Sequence, residues 1–593
     1  MNPLRRLLGG AALLGLAACS APPPALPPSA APEIATGLQR TQAGLFRRQA
    51  VAAAHPAAAE AGLEMLRAGG NAVDAAVAVQ MVLALVEPQS SGLGGGAFLL
   101  LWDGRQVSAW DGRETAPAAA DERLLLRPDG QPLPFVEAMV SGRAVGVPGA
   151  VRMLEAVHRA QGRLPWARLF EPAIRLAEQG FTVGPRLHAQ LRADPALRRD
   201  ALAAALYYRA DGQPHPVGQV LRNPALAAVL RAIAAQGSAA LHQGPVAADI
   251  VRRVHGHAAQ PGRLSVDDLA GYQAQRREPL CADWRRWRVC GMPPPSSGQL
   301  AVMQILALLD HTAPGPDGGP QGPDALHRYT EAARLAFADR AQWVADPAFV
   351  PAPAGRWTSL LDDDYLRERA ALIGPHRLDP VPPGRPRGAV LSAAPMPAQP
   401  EWGTTHASIV DAEGRMVSMT SSIEAQFGAR LMSDGGTGLP GGFLLNNQLT
   451  DFAFAPADDQ GRPVANRVQA GKRPRSSMCP TLVFDRATGA PVLALGSSGG
   501  ATIVHHVART LLALLDEGAD APAALARPHV VPIDGLLVLE RGGFAPTVAE
   551  ALRLRGHRVQ EAELTSGVQL LMRTPSGWIG AADPRREGVV RGD

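Results

Sequence analysis

The sequence has few of the residues that mark metal-binding and disulfide-rich proteins. Its 593 residues include four cysteines, and aromatic residues make up 5% of the chain. No CxxC or HExxH motif occurs, so two patterns that commonly bind zinc are missing. Lysine is nearly absent: Lys472 is the only lysine, and all the arginine and lysine positions other than this one are arginines. From the missing ligand motifs we predict no metal site.

The charge balance argues against one class of partner. The formal net charge is +4 and the isoelectric point is about 9.1. Spread over this length, so small an excess does not predict binding to nucleic acid. Apolar residues make up 46% and charged residues 19%, which is ordinary for a globular protein. The chain is long enough for several core-sized units, since domains average roughly 150 residues.

The N-terminus carries a pattern that resembles a targeting signal. Arg5 and Arg6 precede an apolar run over residues 7–18 that is too short to span a bilayer. The run ends in LAAC, which looks like the lipobox of a bacterial lipoprotein. Residues 1–18 are therefore predicted to be a lipoprotein signal peptide, with lipid on Cys19. The alternative is a plain secretory signal whose cleavage site happens to end beside a cysteine.

The residues after this signal predict where the protein works. Ser20 follows the cysteine, which by the bacterial sorting rule indicates the outer membrane. Residues 19–45 are then a lipid anchor and a proline-rich linker that holds the folded body away from the lipid surface. We predict a periplasmic, lipid-anchored protein. No later stretch of the sequence is long and apolar enough to be a transmembrane helix.

Three cysteines follow the lipobox, namely Cys281, Cys290 and Cys479. An oxidising periplasm permits a disulfide between Cys281 and Cys290. Two unpaired thiols are equally compatible with the sequence.

The pattern of the chain predicts a layered α/β protein. Residues 57–86 read as two helices separated at Gly69-Gly70, and a hairpin with a DGR turn follows. Residues 140–375 are mostly helical in pattern, and eight prolines then mark a tether over residues 375–403. Strand pairs alternating with helices predict sheets packed between helical layers.

The stretch EWGTTHASIV, from Glu401 to Val410, begins directly after this tether. A β-branched threonine is simply a good way to start a strand, which is one interpretation. The other is that the Gly403–Thr404 bond is made to break. A threonine hydroxyl needs a base, and a threonine at a chain terminus can use its own α-amine. That amine exists only after the bond has been cut.

Two further features fit a nucleophile at Thr404. If HASIVDA and RMVSMTS form a hairpin, Thr404 faces Ser421, Ser422 or Ile423, so that Ser422 could donate to the threonine oxygen. An ordinary polar cross-strand pair is the alternative. The sequence GSSGG lies between a predicted strand and a helix N-terminus. Gly499 and Gly500 there could donate backbone N–H groups to an oxyanion, although most such turns merely reverse the chain.

Seven blocks in order resemble the γ-glutamyltransferases, also called glutathione hydrolases. They are GGNAVDAAVAV, DGRETAP, MPPPSSG, TTHASIVD, FLLNNQLTDF, KRPRSSMCPT and GSSGG. The resemblance covers essentially the whole mature chain. It implies an N-terminal-nucleophile hydrolase with an αββα sandwich, made as one chain and cut by itself. The implied products are a large subunit, residues 46–403 after the linker, and a small subunit, residues 404–593, which stay together as a heterodimer.

The resemblance also implies roles for individual residues. Thr404 matches the nucleophile, Ser422 the supporting hydroxyl, and Gly499 and Gly500 the oxyanion hole. The residues that match the family's substrate-binding positions are Arg113, Ser476 and Ser477 for the α-carboxylate and Gln448 and Asp451 for the α-ammonium. The implied reaction passes a γ-glutamyl group from glutathione or a related compound through a Thr404 ester to water, an amino acid or a peptide. It needs no cofactor or metal.

One position departs from the family pattern. Glu424 stands where family members usually carry an asparagine that helps bind the α-amino group. A carboxylate there could strengthen an ammonium site beside Asp451, or repel Asp451 and reshape the pocket for another acyl group. Cephalosporin and glutaryl acylases of the same superfamily are therefore the alternative. A non-catalytic lipoprotein that keeps the fold as a binding module is a third hypothesis, and it predicts an uncut chain.

Overall fold

The computed structural model describes residues 33–39, 42–315 and 319–593. The predicted signal peptide and the predicted lipidation site at Cys19 lie outside the described residues, so both stay predictions. Within the described part of the chain, no helix is both long and apolar enough to cross a membrane.

The described strands run in chain order through both halves of the sequence. They are β1 (Gln42–Phe46), β2 (Ala50–Ala53), β3 (Gly96–Trp102), β4 (Val107–Gly112), β5 (Phe181–Thr182), β6 (Val220–Leu221), β7 (Gln275–Arg277), β8 (Leu280–Trp284), β9 (Trp287–Gly291), β10 (Thr405–Val410), β11 (Met416–Ser422), β12 (Met432–Ser433), β13 (Phe443–Leu444), β14 (Thr481–Asp485), β15 (Pro491–Gly496), β16 (Val530–Ile533), β17 (Leu536–Glu540), β18 (Val559–Ala562), β19 (Gln569–Thr574), β20 (Gly577–Ala582) and β21 (Val589–Gly592).

Two seven-stranded sheets form the centre of the molecule. One has the order β21-β2-β10-β11-β3-β4-β7 and the other the order β1-β20-β19-β15-β14-β9-β8. Their facing surfaces pack together through apolar side chains such as Phe98, Leu100 and Phe484. Each sheet draws strands from both sides of the predicted cleavage point, so the two predicted subunits would share both sheets.

The described residues form seventeen α-helices, and some of them cover the outer faces of the two sheets. They are α1 (Pro56–Arg67), α2 (Ala72–Val86), α3 (Phe135–Met139), α4 (Ala150–Gln161), α5 (Glu171–Gln179), α6 (Pro185–Ala193), α7 (Ala201–Tyr207), α8 (Pro224–Gln236), α9 (Ala239–His242), α10 (Gly244–His255), α11 (Val266–Gly271), α12 (Gly298–Asp310), α13 (Pro323–Trp343), α14 (Asp363–Ala370), α15 (Ile503–Leu511), α16 (Ala521–Ala526) and α17 (Pro546–Leu554). Helices α1 and α2 pack on the sheet that contains β10, and α12, α13 and α15 pack on the other. The predicted αββα sandwich is confirmed.

The hairpin that carries the candidate nucleophile has one of the three registers that the sequence left open. Thr405 pairs with Ser421 and Val410 with Met416, so the residue before β10 lies beside Ser422 at the open end. All residues of β10 and β11 are buried. Central strands that are covered on both faces are expected to be buried throughout. Because buried side chains are closely packed, the β10–β11 hairpin is a rigid support for Thr404.

The proline-rich tether differs from the loose segment that its composition predicts. It contains no helix or strand between α14 and β10, yet Ala394 and Met396 are buried against Ala453 and Val464. The backbone N–H of Met396 also donates to the carbonyl of Ala341 at 2.9 Å. Proline restricts the backbone but does not prevent a segment from packing on the body of the protein.

The structure resolves the choice that the sequence left open for the cysteines. Cys281 and Cys290 lie directly opposite each other on β8 and β9 and form a disulfide, whereas Cys479 is a buried free thiol. The helical reading of residues 140–375 missed the strands β7 to β9 that bring the two cysteines together.

Candidate active site

Thr404 lies at the open end of the β10–β11 hairpin, one residue before β10 begins. Its side chain is buried, and the chain is continuous through Gly403 and Thr404, so the structure describes an uncut precursor. The backbone N–H of Gly499 donates to Thr404 Oγ1 at 3.2 Å. Arg586 Nη1 donates to the Thr404 carbonyl oxygen at 3.1 Å. These contacts hold the threonine in one place beside the glycine turn.

Ser422 contacts the peptide bond that the sequence predicts to be cut. Its hydroxyl donates to the carbonyl oxygen of Gly403 at 2.9 Å, and it accepts a hydrogen bond from the backbone N–H of Glu424 at 2.8 Å. The sequence-based hypothesis had Ser422 donating to the threonine oxygen, and the observed acceptor in the precursor is the Gly403 carbonyl instead. A donor on this oxygen would stabilise the negative charge that develops when Thr404 attacks the carbonyl.

The glycine turn lies where the sequence placed it, between β15 and α15. Gly499 and Gly500 have φ values of +124° and +55°, conformations that L side chains rarely adopt. A Cβ on Gly500 would also lie 2.1 Å from the carbonyl oxygen of Glu401. Glycine is therefore required here both by backbone conformation and by the close approach of the segment before the cleavage point.

The residues predicted to bind the substrate gather around this point. Arg113 and Asp451 form a buried ion pair at 2.5 Å, and Arg113 also donates to the carbonyl oxygens of Pro474 and Arg475. Gln448 Nε2 donates to Asp451 Oδ2 at 2.8 Å. Among the described residues, Gln448 Oε1 and Asp451 Oδ1 are buried acceptors that receive no hydrogen bond. Such a pair of acceptors suits a ligand that carries an ammonium group.

Ser476 and Ser477 line the same cleft. The cleft is lined by Arg113, Glu401, Trp402, Gly403, Thr404, Ser422, Glu424, Gln448, Asp451, Ser476, Ser477, Met478, Gly500 and Ile503. The structure thus brings all the predicted catalytic and substrate-binding residues together in this cleft except Gly499, which does not line it but donates its N–H to Thr404 Oγ1. The space left among them is about 20 Å³, enough for about one water molecule. The precursor segment 401–403 itself fills the cleft.

Glu424 is buried and stands on strained backbone, with φ of +75°. Its carboxylate accepts hydrogen bonds from the Trp402 N–H at 3.0 Å and from Asn447 Nδ2 at 2.5 Å. Burial, reinforced by the nearby charge of Asp451, raises the pKa of Glu424 well above its ordinary value. Burial also raises the pKa of Asp451, against the attraction of Arg113. The two acids therefore compete for a single negative charge.

We expect this competition to make the precursor less stable as the pH rises. The native state holds a proton on Glu424 that the unfolded state releases near pH 4.3. The free energy of unfolding is therefore highest below that pH, and it falls as the pH rises towards the pKa of Glu424 in the native state. In an uncut Thr404→Ala chain, the melting temperature should fall between pH 5 and pH 8, and Glu424→Gln should flatten that fall. Glu413→Gln removes an exposed glutamate whose pKa is lowered by Arg163, and it serves as the control. Equal pH slopes with and without Glu424 would contradict the assignment.

Three charged residues of the site were not singled out from the sequence. Glu401 projects into the cleft from the segment before the cleavage point, where Arg340 and Arg475 contact its carboxylate. Arg475 lies within the KRPRSSMCPT block, so the resemblance of that block to the family could have pointed to it. Arg340 lies in α13, 61 residues before Glu401, and no local pattern links the two.

One group of described residues has the donor types of a metal site. His327, Glu331 and His557 place their ligand atoms within 4.8 Å of one another. His327 Nδ1 lies 2.7 Å from His557 Nε2, and Glu331 accepts from Arg334 at 2.7 Å and from the N–H of Leu378 at 2.8 Å. The two histidines thus contact each other, Glu331 is bound by its own neighbours, and none of the three lines the cleft around Thr404.

Comparisons with known proteins agree with this geometry. A family model described as gamma-glutamyltranspeptidase matches residues 58–592. A glutathione hydrolase proenzyme from Bacillus subtilis (strain 168) is 34% identical, over 91% of this chain and 91% of the relative. An acylase ACY 1 proenzyme from Pseudomonas sp. (strain V22) is 35% identical, over 90% of this chain and 92% of the relative. The crystal structure of a cephalosporin acylase from Bacillus halodurans matches with a TM-score of 0.77 and 27% identity, covering 95% of this chain and 99% of that one.

Proposed function

Because this chain belongs to the gamma-glutamyltranspeptidase family, we propose that it cuts itself at Gly403–Thr404 and then transfers γ-glutamyl groups from Thr404. Family membership makes it an enzyme of the glutathione hydrolase type, which acts on small molecules as a two-subunit product of a proenzyme. Membership of an enzyme family therefore argues against the hypothesis of a non-catalytic binding module. The exact bond, the roles of the residues and the preferred donor are the parts that we propose.

The first step is an exchange of bonds at one carbonyl carbon. Thr404 Oγ1 attacks the Gly403 carbonyl, the C–N bond breaks, and the hydroxyl proton passes to the departing nitrogen of Thr404. The result is an ester on Thr404 Oγ1 beside a free Thr404 α-amine. Water then hydrolyses the ester, which gives a Gly403 carboxylate and restores the Thr404 hydroxyl. Ser422 supports this proposal because its hydroxyl already donates to the Gly403 oxygen at 2.9 Å. A donor there acts in the transition state as the oxygen gains charge.

The second step repeats the chemistry on a substrate. The new α-amine of Thr404 takes the hydroxyl proton while the oxygen attacks a γ-amide, and the amine product leaves with that proton. The N–H of Gly499 points at the nucleophile's oxygen at 3.2 Å, and Gly500 follows it in the turn. We assign both glycines to the oxyanion of this step. Water or an amino-acid or peptide acceptor then releases the γ-glutamyl group.

The observation that best supports a γ-glutamyl donor is a pair of unsatisfied acceptors in the cleft that Ser476 and Ser477 also line. Gln448 Oε1 and Asp451 Oδ1 are buried and receive no hydrogen bond from any described residue. An α-ammonium group would supply donors to both, and Ser476 and Ser477 would face the α-carboxylate. A glutaryl group carries no ammonium, so it would leave both acceptors unsatisfied at a cost of about 1–3 kcal/mol each.

Cephalosporin or glutaryl acylase activity is the second candidate, favoured by Glu424. Its buried carboxyl lies beside Asp451, and a proton held between the two acids would weaken the attraction for an ammonium group. Two proteins similar to this chain, an acylase ACY 1 proenzyme and a cephalosporin acylase of known structure, are named as acylases.

Release of p-nitroaniline from two donors separates the candidates. We expect purified, self-cleaved enzyme to act on γ-glutamyl-p-nitroanilide with a kcat/KM at least about 10-fold above that on glutaryl-p-nitroanilide, because one satisfied charged group is worth about 1.5–3 kcal/mol. The Thr404→Ala chain gives the background rate. A clear preference for the glutaryl compound would overturn the γ-glutamyl assignment and support the acylase.

We also propose that the enzyme works in the bacterial periplasm, anchored through Cys19 and separated from the outer membrane by its proline-rich linker. The signal pattern at the N-terminus supports this location. The Cys281–Cys290 disulfide is consistent with it, because disulfides persist in oxidising compartments.

A further inference from the structure

One residue of the predicted linker is buried in the folded body. Glu33 lies in the part of the chain assigned to the linker, yet its carboxylate is bound by two buried arginines. Arg186 Nη2 donates to Glu33 Oε2, and Arg586 Nη2 donates to Glu33 Oε1 at 2.6 Å. Further along the same segment, the backbone N–H of Gln39 donates to the carbonyl oxygen of Pro584 at 2.6 Å. The segment is therefore attached to the body at both of its ends.

This buried carboxylate lies beside the bond that the proposed function has cut. A Cβ on Gly403 would come within 2.8 Å of Glu33 Oε1, so the carboxylate is packed against the backbone of Gly403. Arg586 Nη1 donates to the carbonyl oxygen of Thr404 at 3.1 Å. Arg586 thus binds Glu33 with one terminal nitrogen and Thr404 with the other. Glu33 contacts the residue before the bond directly, and it reaches the residue after the bond through Arg586.

The two arginines depend on Glu33 for their charge balance. Burial, reinforced by the charge of Arg586, lowers the pKa of Arg186 well below its ordinary value. Burial also lowers the pKa of Arg586 to about 10. Among the described residues, Glu33 is the only carboxylate that forms an ion pair with either side chain. Removing one partner of a buried ion pair leaves an uncompensated charge, which is strongly unfavourable. Without Glu33, Arg586 would therefore lose the contact that fixes it beside Thr404.

The alternative interpretation is a clasp that only ties the N-terminal segment to the body. A clasp needs neither burial nor contact with the residues that react, and a buried ion pair is costly to assemble. Its position against Gly403 and its link to the Thr404 carbonyl favour a role in the reaction.

Building on the self-cleavage proposed above, we propose that Glu33 is a positioning residue for that step, which fixes Gly403 by direct contact and Thr404 through Arg586. The N-terminal segment of the chain is thereby part of the machinery that matures the enzyme. Glu33 does not line the cleft around Thr404, so it acts on the placement of the bond and not on the binding of a substrate.

The rate of self-cleavage tests this role. In full-length Glu33→Ala we expect freshly purified precursor to disappear from a denaturing gel about 10- to 100-fold more slowly, the size expected for loss of a hydrogen bond between charged groups. Glu60→Ala is the matched control, because it removes an exposed glutamate of α1 that lies 3.5 Å from Arg591 on β21. It should mature at the rate of the unaltered chain. Melting temperatures show which variants are folded.

A small free anion separates positioning from a clasp. Sodium formate can occupy the space that Glu33→Ala leaves between the two arginines, and it should restore part of the lost cleavage rate. Formamide has the same shape without the charge and should restore none. Formate should not accelerate the unaltered chain or Glu60→Ala. Where Glu33→Ala does not fold, Glu33→Gln keeps the shape of the side chain, removes its charge and should also mature slowly.

Two results would overturn the proposal. One is a folded Glu33→Ala or Glu33→Gln precursor that matures as fast as Glu60→Ala. The other is slow maturation of Glu33→Ala that formate and formamide change equally, which would reduce Glu33 to a clasp. An unaltered chain that stays uncut, or that is cut at another bond, would refute the proposed function itself and the role of Glu33 with it. That result is seen before any variant is compared, so the two failures are distinct.

Discussion

Thr404→Ala should give a chain that remains uncut at about 62 kDa on a denaturing gel and that releases no p-nitroaniline above background. The variant removes the oxygen that attacks the Gly403 carbonyl and the oxygen that later carries the acyl group. Loss of a nucleophile costs at least about 10⁴-fold in rate in well-studied hydrolases. Because the side chain is small and the hairpin is held by its ladder, the fold should persist.

The neighbouring threonine provides the matched control. Thr405 has the same side chain, but its hydroxyl donates to Glu87 at 2.7 Å. The Thr404 hydroxyl instead receives the N–H of Gly499. Thr405→Ala should therefore be cut and remain active, with some loss of stability. Normal cleavage of Thr404→Ala would show that the threonine only begins a strand, as the alternative interpretation of EWGTTHASIV holds.

Ser422→Ala should slow self-cleavage about 10²- to 10³-fold, the usual effect of removing one donor to a developing oxyanion. The substitution removes the hydroxyl that donates to the Gly403 carbonyl at 2.9 Å and leaves the β11 backbone unchanged. The measurement is the rate at which freshly purified precursor disappears from a denaturing gel at constant pH. Precursor should accumulate in the variant and convert over a much longer time.

Ser421→Ala is the control for this second prediction, since the two serines are adjacent on β11. The Ser421 hydroxyl donates to Gln80 Oε1 at 2.6 Å, on the helical side of the sheet and away from the cleavage point. It should leave the cleavage rate close to that of the unaltered chain. A Ser422→Ala precursor that matures as fast as the Ser421→Ala precursor would remove Ser422 from the reaction.

The parts of the site that could be predicted from the sequence are those fixed by short-range patterns. Counting residues across the Glu413-Gly414 turn narrowed the partner of Thr404 to Ser421, Ser422 or Ile423, because paired strands follow the register of the turn. The structure selects Ser422. The glycine turn was predictable because a strand, a GSSGG sequence and a helix follow one another. Family resemblance located Arg113 and Asp451, but it did not indicate that they pair with each other.

The parts that could not be predicted depend on contacts between distant segments. The contacts of Glu401 with Arg340 and Arg475 join the segment before the cleavage point to α13 and to the KRPRSSMCPT block, and no local periodicity links these segments. The packed path of the tether also depends on distant partners, such as Ala453 and Val464. In the same way, the register of Cys281 and Cys290 required the hairpin of β8 and β9, which the helical pattern of residues 140–375 concealed.

The central claim is that Thr404 becomes reactive by becoming the first residue of a new chain. N-terminal sequencing of the smaller polypeptide in an active preparation tests it most directly. We expect the sequence Thr-Thr-His-Ala-Ser-Ile, beginning at Thr404 and belonging to a fragment of about 190 residues. An active enzyme whose smaller polypeptide begins at any other residue, or that contains no second polypeptide, would contradict the account.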